Sequence, residues 1–124
     1  SRIMLALKTI TAKQEKIGTF IFDEIDAGIS GKTAWKVSEK LGILGRTHQI
    51  ICITHLPQIA AMADHHFYIE KNATDHSTAT TITELSEADS LKELARLSGA
   101  AQLTESVLAN AKEMNDLAEK KKQN

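Results

Sequence analysis

Apolar and polar positions alternate along this chain with two different periods, and the changes of period mark out its elements. From Ile3 to about Lys13 the pattern is helical: Ile3, Leu7 and Ile10 share one face, and Met4, Leu5 and Ala6 widen it. A helix apolar on most sides is buried on most sides, so this one calls for cover from two directions. Gln14 to Gly18 is a polar connection. Thr19 to Asp23 reads as a strand, in which Phe20, Ile21 and Phe22 run without interruption into the acids Asp23 and Glu24. A continuous apolar run suits a parallel strand covered on both faces. Ile25 to Gly31 is a loop with two glycines. Ser30 is placed to cap a helix over Lys32 to Leu44, with Gly45 as its stop. Ala34, Val37, Leu41 and Leu44 form the inner stripe of that helix, and Trp35 lies off it, open to solvent or to a partner. His48 to Thr54 is a second strand with the core Ile50, Ile51, Cys52 and Ile53, and it too ends in polar residues, Thr54 and His55. Pro57 suits the first turn of a short helix to about Ala63. Strand, helix and strand in this order make a βαβ unit with parallel strands and a right-handed crossover.

The period then changes. In His66 to Lys71, Phe67 and Ile69 alternate with Tyr68 and Glu70. Asn72 to Ser77 is rich in turn formers and Thr78 to Leu85 in β-branched residues, so a β-hairpin with a longer loop is expected. Ser86-x-x-Asp89 has the form of a capping box ahead of Leu91, Leu94 and Ala95, with Gly99 as a stop. Thr104 can cap a last helix whose stripe is Val107, Ala111, Met114 and Ala118, and Lys120 to Asn124 should fray. The fold class is therefore α/β: a short parallel βαβ core, a hairpin and two C-terminal helices.

Composition narrows the function classes. With 124 residues the chain has the length of one ordinary domain, and its net charge of −1 shows no overall basic excess for nucleic acid. Any DNA contact would need a local patch or another part of a larger protein. The single cysteine, Cys52, excludes an internal disulfide framework and fits a reducing, cytoplasmic setting. No apolar run approaches the ~20 residues of a membrane span, and no signal peptide is visible. The chain opens Ser-Arg, without an initiator Met, directly ahead of a strongly apolar helix. A piece of something longer is expected.

In open α/β sheets ligands bind at the carboxyl ends of the strands, where Asp23 and Glu24 stand. One such carboxylate can hold Mg²⁺ through the ion's own waters, because Mg²⁺ dehydrates reluctantly. The adjacent one can polarise an attacking water. His55 ends the neighbouring strand at the same edge, in reach of one ligand across a strand spacing of ~4.8 Å, and can donate to a phosphate oxygen. The bland alternative is an acidic pair and a histidine on an ordinary surface. For His48, His65, His66 and His76 the expected role is packing or solvation, and no Cys or His spacing matches a zinc site.

An apolar strand, Asp-Glu, a small loop, a helix and a strand ending Thr-His is the order of the second half of ABC-type ATPase heads, with their Walker B strand, D-loop and switch histidine. Within that class DEIDAGISG, followed by ICITHLPQIAAMADHHFYIEK, closely resembles the RecN family of bacterial SMC-like DNA repair ATPases. ELARLSG and LTESVLANAKE are similar to that family's C-terminus, and the opening SRIMLA to the residues just after its signature segment. The resemblance covers essentially the whole chain. It implies that Asp23 is the Mg²⁺-linked Walker B acid, Glu24 the catalytic carboxylate and His55 the contact to the γ-phosphate. Gly28 and Ser30 would belong to a D-loop facing the second head of a homodimer. Many such loops end in Asp where this chain has Ser30.

The same resemblance implies ATP and Mg²⁺ as cofactors of the intact protein, and a nucleoid-associated role in recombination and repair of double-strand breaks. The 124 residues contain no G-x-x-x-x-G-K-[ST], no signature segment and no coiled coil. Residues 1–124 are thus expected to be a single partial domain, from Walker B to the C-terminus of the head. The missing N-terminal half of the head is its first partner. The fragment alone is expected to hold no cofactor, to hydrolyse no ATP and to self-associate through apolar surface. Two other readings stay open. FIFDEIDAG is also similar to the Walker B of AAA+ ATPases, although the next strand ends Thr54-His55 without their polar sensor. A non-enzymatic α/β interaction module would fit the apolar helix at the start.

Overall fold

The computed structural model describes residues 18–123, and the helix expected over Ile3 to Lys13 lies outside them. In chain order the elements are β1 (Thr19–Asp23), α1 (Gly31–Leu44), β2 (Gln49–Ile53), α2 (Pro57–Ala61), β3 (Phe67–Ala73), β4 (Thr78–Glu84), α3 (Glu87–Leu97) and α4 (Glu105–Gln123). β1 and β2 pair in parallel, with Phe20 beside Ile50, Phe22 beside Cys52 and Asp23 beside Ile53. β3 and β4 form a separate antiparallel hairpin. The α/β class, the parallel pair, the hairpin and the C-terminal helices all match the sequence pattern.

Because strand side chains alternate between faces, Phe20 and Phe22 point to α1, where Ala34, Val37, Leu41 and Leu44 close a first core with Ile25, Ile29 and Ile59. Ile50 and Cys52 pack against it from β2. The continuous apolar runs predict two covered faces; among the described residues the opposite face of this pair stays exposed, with Ile21 69% exposed, Ile51 46% and Ile53 48%. A second core joins Ala60, Ala61 and Met62 to Leu94 and Ala95 of α3 and to Ala111 and Ala118 of α4. Trp35, on the side of α1 away from the sheet, packs on this second core, and Lys121 of α4 lies 5.8 Å from its ring centroid. The hairpin keeps Phe67, Ile69 and Ile82 exposed.

The helix ends follow local chemistry with two departures. Ser30 sits at the N-cap of α1 in extended backbone but makes no side-chain cap bond. Gly45 ends α1 in ordinary right-handed backbone, φ −67°, so its freedom as a glycine is not used. At α3 both signals operate. The Asp89 amide donates to Ser86 Oγ at 3.2 Å. At the other end Gly99, at φ +91°, lets Ala100 N–H reach Ala95 O and Gly99 N–H reach Arg96 O, the paired bonds of a Schellman motif. Ser86→Ala should lower stability by about 1 kcal/mol, read from urea unfolding.

Candidate functional site

The two parallel strands finish level with each other. Asp23 pairs with Ile53, so Glu24 to Asp26 and Thr54 to His55 leave the sheet at the same edge. Directly after Asp23 the backbone turns through Glu24 at φ +57°, the one described non-glycine residue in left-handed backbone. That conformation costs an L-residue roughly 1–2 kcal/mol, and it persists where the surroundings over-determine it. Here Phe22 and Ile25 are both buried in the first core, on either side of the Asp23-Glu24 pair. The Ala27 amide closes the turn onto Glu24 O at 3.1 Å. Asp23 and Glu24 themselves are exposed. A β-branched residue at such a φ is a steric outlier, whereas Asn tolerates it. Glu24→Val should therefore unfold about 1–2 kcal/mol more easily than Glu24→Asn in urea.

The residue that organises this edge is Asp26, absent from the sequence-predicted set. It is 4% exposed. Its Oδ2 accepts from Thr54 Oγ1 at 2.7 Å and from the His55 amide at 2.9 Å. The His55 ring Nδ1 lies 3.2 Å from the same oxygen. Thr54 Oγ1 in turn accepts from the Leu56 amide at 3.0 Å, at the start of α2. One carboxylate thus ties the loop after β1 to the residues after β2. Burial alone would raise its pKa, but the Thr54 hydroxyl, the backbone amides and the His55 charge outweigh burial and hold it below the ordinary aspartate value. A signal for it exists in the chain. An acid between Ile25 and Ala27 in a loop anchored by apolar residues needs donors if it is buried, and Thr54-His55 supplies them.

Of the sequence-predicted site residues, Asp23, Glu24 and His55 come to one edge, and the His55 side chain is 76% exposed. Gly28, at φ +73°, and Ser30, exposed, follow in the loop, where the Ile29 amide bonds Asp26 O at 3.3 Å. Cys52, beneath the edge, has its thiol pushed up to about 11 by burial first and then by the charges of Asp26 and Asp23. Among the described residues no group of three or more His, Cys, Asp or Glu could hold a metal by itself. A lone exposed Asp23 at a strand end does fit an ion that keeps most of its waters.

Three of the other histidines make side-chain contacts elsewhere. His48 lies 5.1 Å from the Phe20 ring, His65 Nδ1 is 3.0 Å from Glu84, and His66 Nδ1 is 3.1 Å from Ser90 Oγ. Burial, opposed by Glu93, lowers the His66 pKa. No described helix is long and apolar enough to cross a membrane.

Comparison with known proteins gives this edge a family. The chain is 50% identical over 117 residues, 94% of its length, to the DNA repair protein RecN of Haemophilus influenzae. The chain belongs to the RecN family. RecN of Bacillus subtilis is 41% identical over 114 residues, and that of Mycobacterium leprae 39% identical over 122 residues, 92% and 98% of the chain. The chain spans about one-fifth of the length of these RecN proteins, 20–21% in each case. No protein-family model matches it.

Proposed function

We propose that this chain supplies the hydrolysing edge of an ATPase head in a DNA repair protein of the RecN type. The observation that carries the proposal is the exit of Asp23, Glu24 and His55 at one end of a parallel strand pair, with Glu24 held in left-handed backbone. Strain of that kind clusters at active sites. In the complete head Asp23 would hold Mg²⁺, which would offset the phosphate charge, while Glu24 accepts a proton from the attacking water and His55 donates a hydrogen bond to the terminal phosphate of ATP. Gly28 and Ser30 face a second head. Residues 1–124 form the part of the head from Walker B onward. The backbone amides that cradle the phosphates come from the other half of the head, which is why the isolated chain should neither bind nor hydrolyse ATP. The intact protein works as a homodimer in the cytoplasm, on the nucleoid, in repair of double-strand breaks by recombination.

The test is ATP turnover by a full-length RecN-type protein that contains this chain, set beside the chain alone. Turnover confined to the longer protein supports the reading. A full-length protein that hydrolyses no ATP, with or without DNA, would end it.

A further inference from the structure

We propose that Asp26 is a positioning residue for His55, fixing the imidazole as the form that carries its proton on Nδ1 and turning Nε2 toward the ligand. The tautomer follows from the geometry, and the ligand, a phosphate oxygen, rests on the function proposed above. An ionised carboxylate only accepts hydrogen bonds. Nδ1 lies 3.2 Å from Asp26 Oδ2, an ion-pair contact, and a lone pair facing an ionised oxygen at that distance is repelled, so the proton belongs on Nδ1. A free imidazole prefers its proton on Nε2, so the contact selects the minor form. The same oxygen also takes the backbone amide of His55 at 2.9 Å. Ring and main chain of one residue are therefore held from one atom, and the Thr54 hydroxyl at 2.7 Å fixes that atom in turn.

The arrangement has an inside and an outside. The carboxylate is 4% exposed and the His55 side chain 76% exposed. Nε2 makes no hydrogen bond among the described residues. With Nδ1 committed, a neutral ring offers only a lone pair at Nε2. A phosphate oxygen is itself an acceptor, so the contact requires a ring protonated on both nitrogens, the second proton coming from solvent. The buried Asp26 carboxylate balances that positive charge, and Asp23 and Glu24 stand at the same strand end. Asp26 touches no reacting atom; it acts through His55.

A double-mutant cycle in the full-length protein tests this. Asp26→Asn keeps shape and removes charge, and should lower kcat for ATP about ten-fold with little change in KM. The same substitution placed on His55→Ala should have almost no further effect. An Asp26→Asn loss of equal size in both backgrounds would mean that Asp26 serves the fold and not the histidine, and would overturn the proposal. Nitrogen-15 NMR of the histidine rings in the 124-residue chain, at a pH where they are neutral, should show His55 protonated on Nδ1. A native, dispersed spectrum with His55 protonated on Nε2 would overturn it as well. The two proposals can fail separately. If His55→Ala leaves turnover intact, the role of His55 at phosphate fails, while the ring spectrum still decides whether Asp26 sets its tautomer.

Discussion

Glu24→Gln in a full-length RecN-type protein should leave ATP bound and all but unhydrolysed, with kcat lowered about 100-fold or more. A positioned general base contributes roughly 10²–10⁴-fold, and the amide of glutamine cannot take the proton. The substitution is clean for structural reasons. Glu24 is exposed, and an unbranched amide side chain meets the same left-handed backbone with the same strain as the acid. Stability should then change by less than ~0.5 kcal/mol, as for other surface positions. Nucleotide binding measured by filter retention, turnover by phosphate release and unfolding by urea separate the three effects. A turnover within about two-fold of the parent would remove Glu24 from the catalytic role.

Asp26→Ala should do the reverse and strike the fold. It strips the acceptor from the Thr54 hydroxyl and the His55 amide at once, and donors left unpaired in a half-buried setting cost about 1–3 kcal/mol each. The expected loss is about 2–4 kcal/mol, on the order of 10 °C in Tm for a domain of this size. Asp23→Ala, at an exposed carboxylate three positions earlier, should change stability by less than ~0.5 kcal/mol.

The pH dependence of the Asp26 contribution follows from the direction of its shift. The folded pKa lies below the ordinary 3.8, so the ionised carboxylate stabilises the fold fully above that value. The contribution is lost as pH falls from there through the lower folded-state value. Parent and Asp26→Ala unfolding curves, measured from pH 7 downward, should therefore approach each other only below about pH 4. A gap that stayed constant to pH 2 would assign the loss to packing instead.

Much of this fold and of its strand-end edge is legible in the order of residues alone. An apolar run ending in two acids marks β1 to the residue, and strand, helix and strand imply the parallel pairing, in which Ile53, two residues before His55, stands level with Asp23. Burial is harder to read. Ile21, Ile51 and Ile53 have the pattern of core, because hydropathy reports what a residue could pack against, yet among the described residues they stay exposed. The hairpin alternation predicts which residues share a face, and Phe67 and Ile69 do, but that face is open. Asp26 escapes because its two donors and the His55 ring beside it come from about thirty residues away, and no local period encodes a contact of that range. Ser30 is the right residue type for a cap, yet its hydroxyl is not used.

The short helix α2 has one more consequence. Its five residues hand Ile59 to the first core and Ala60 and Ala61 to the second, so neighbouring side chains serve opposite interiors. Neither interior can melt without pulling a rigid turn out of the other, which should fuse them into one cooperative unit. The same turn begins two residues beyond His55. The turn that follows that histidine thus packs directly on the pair of helices at the far end of the chain.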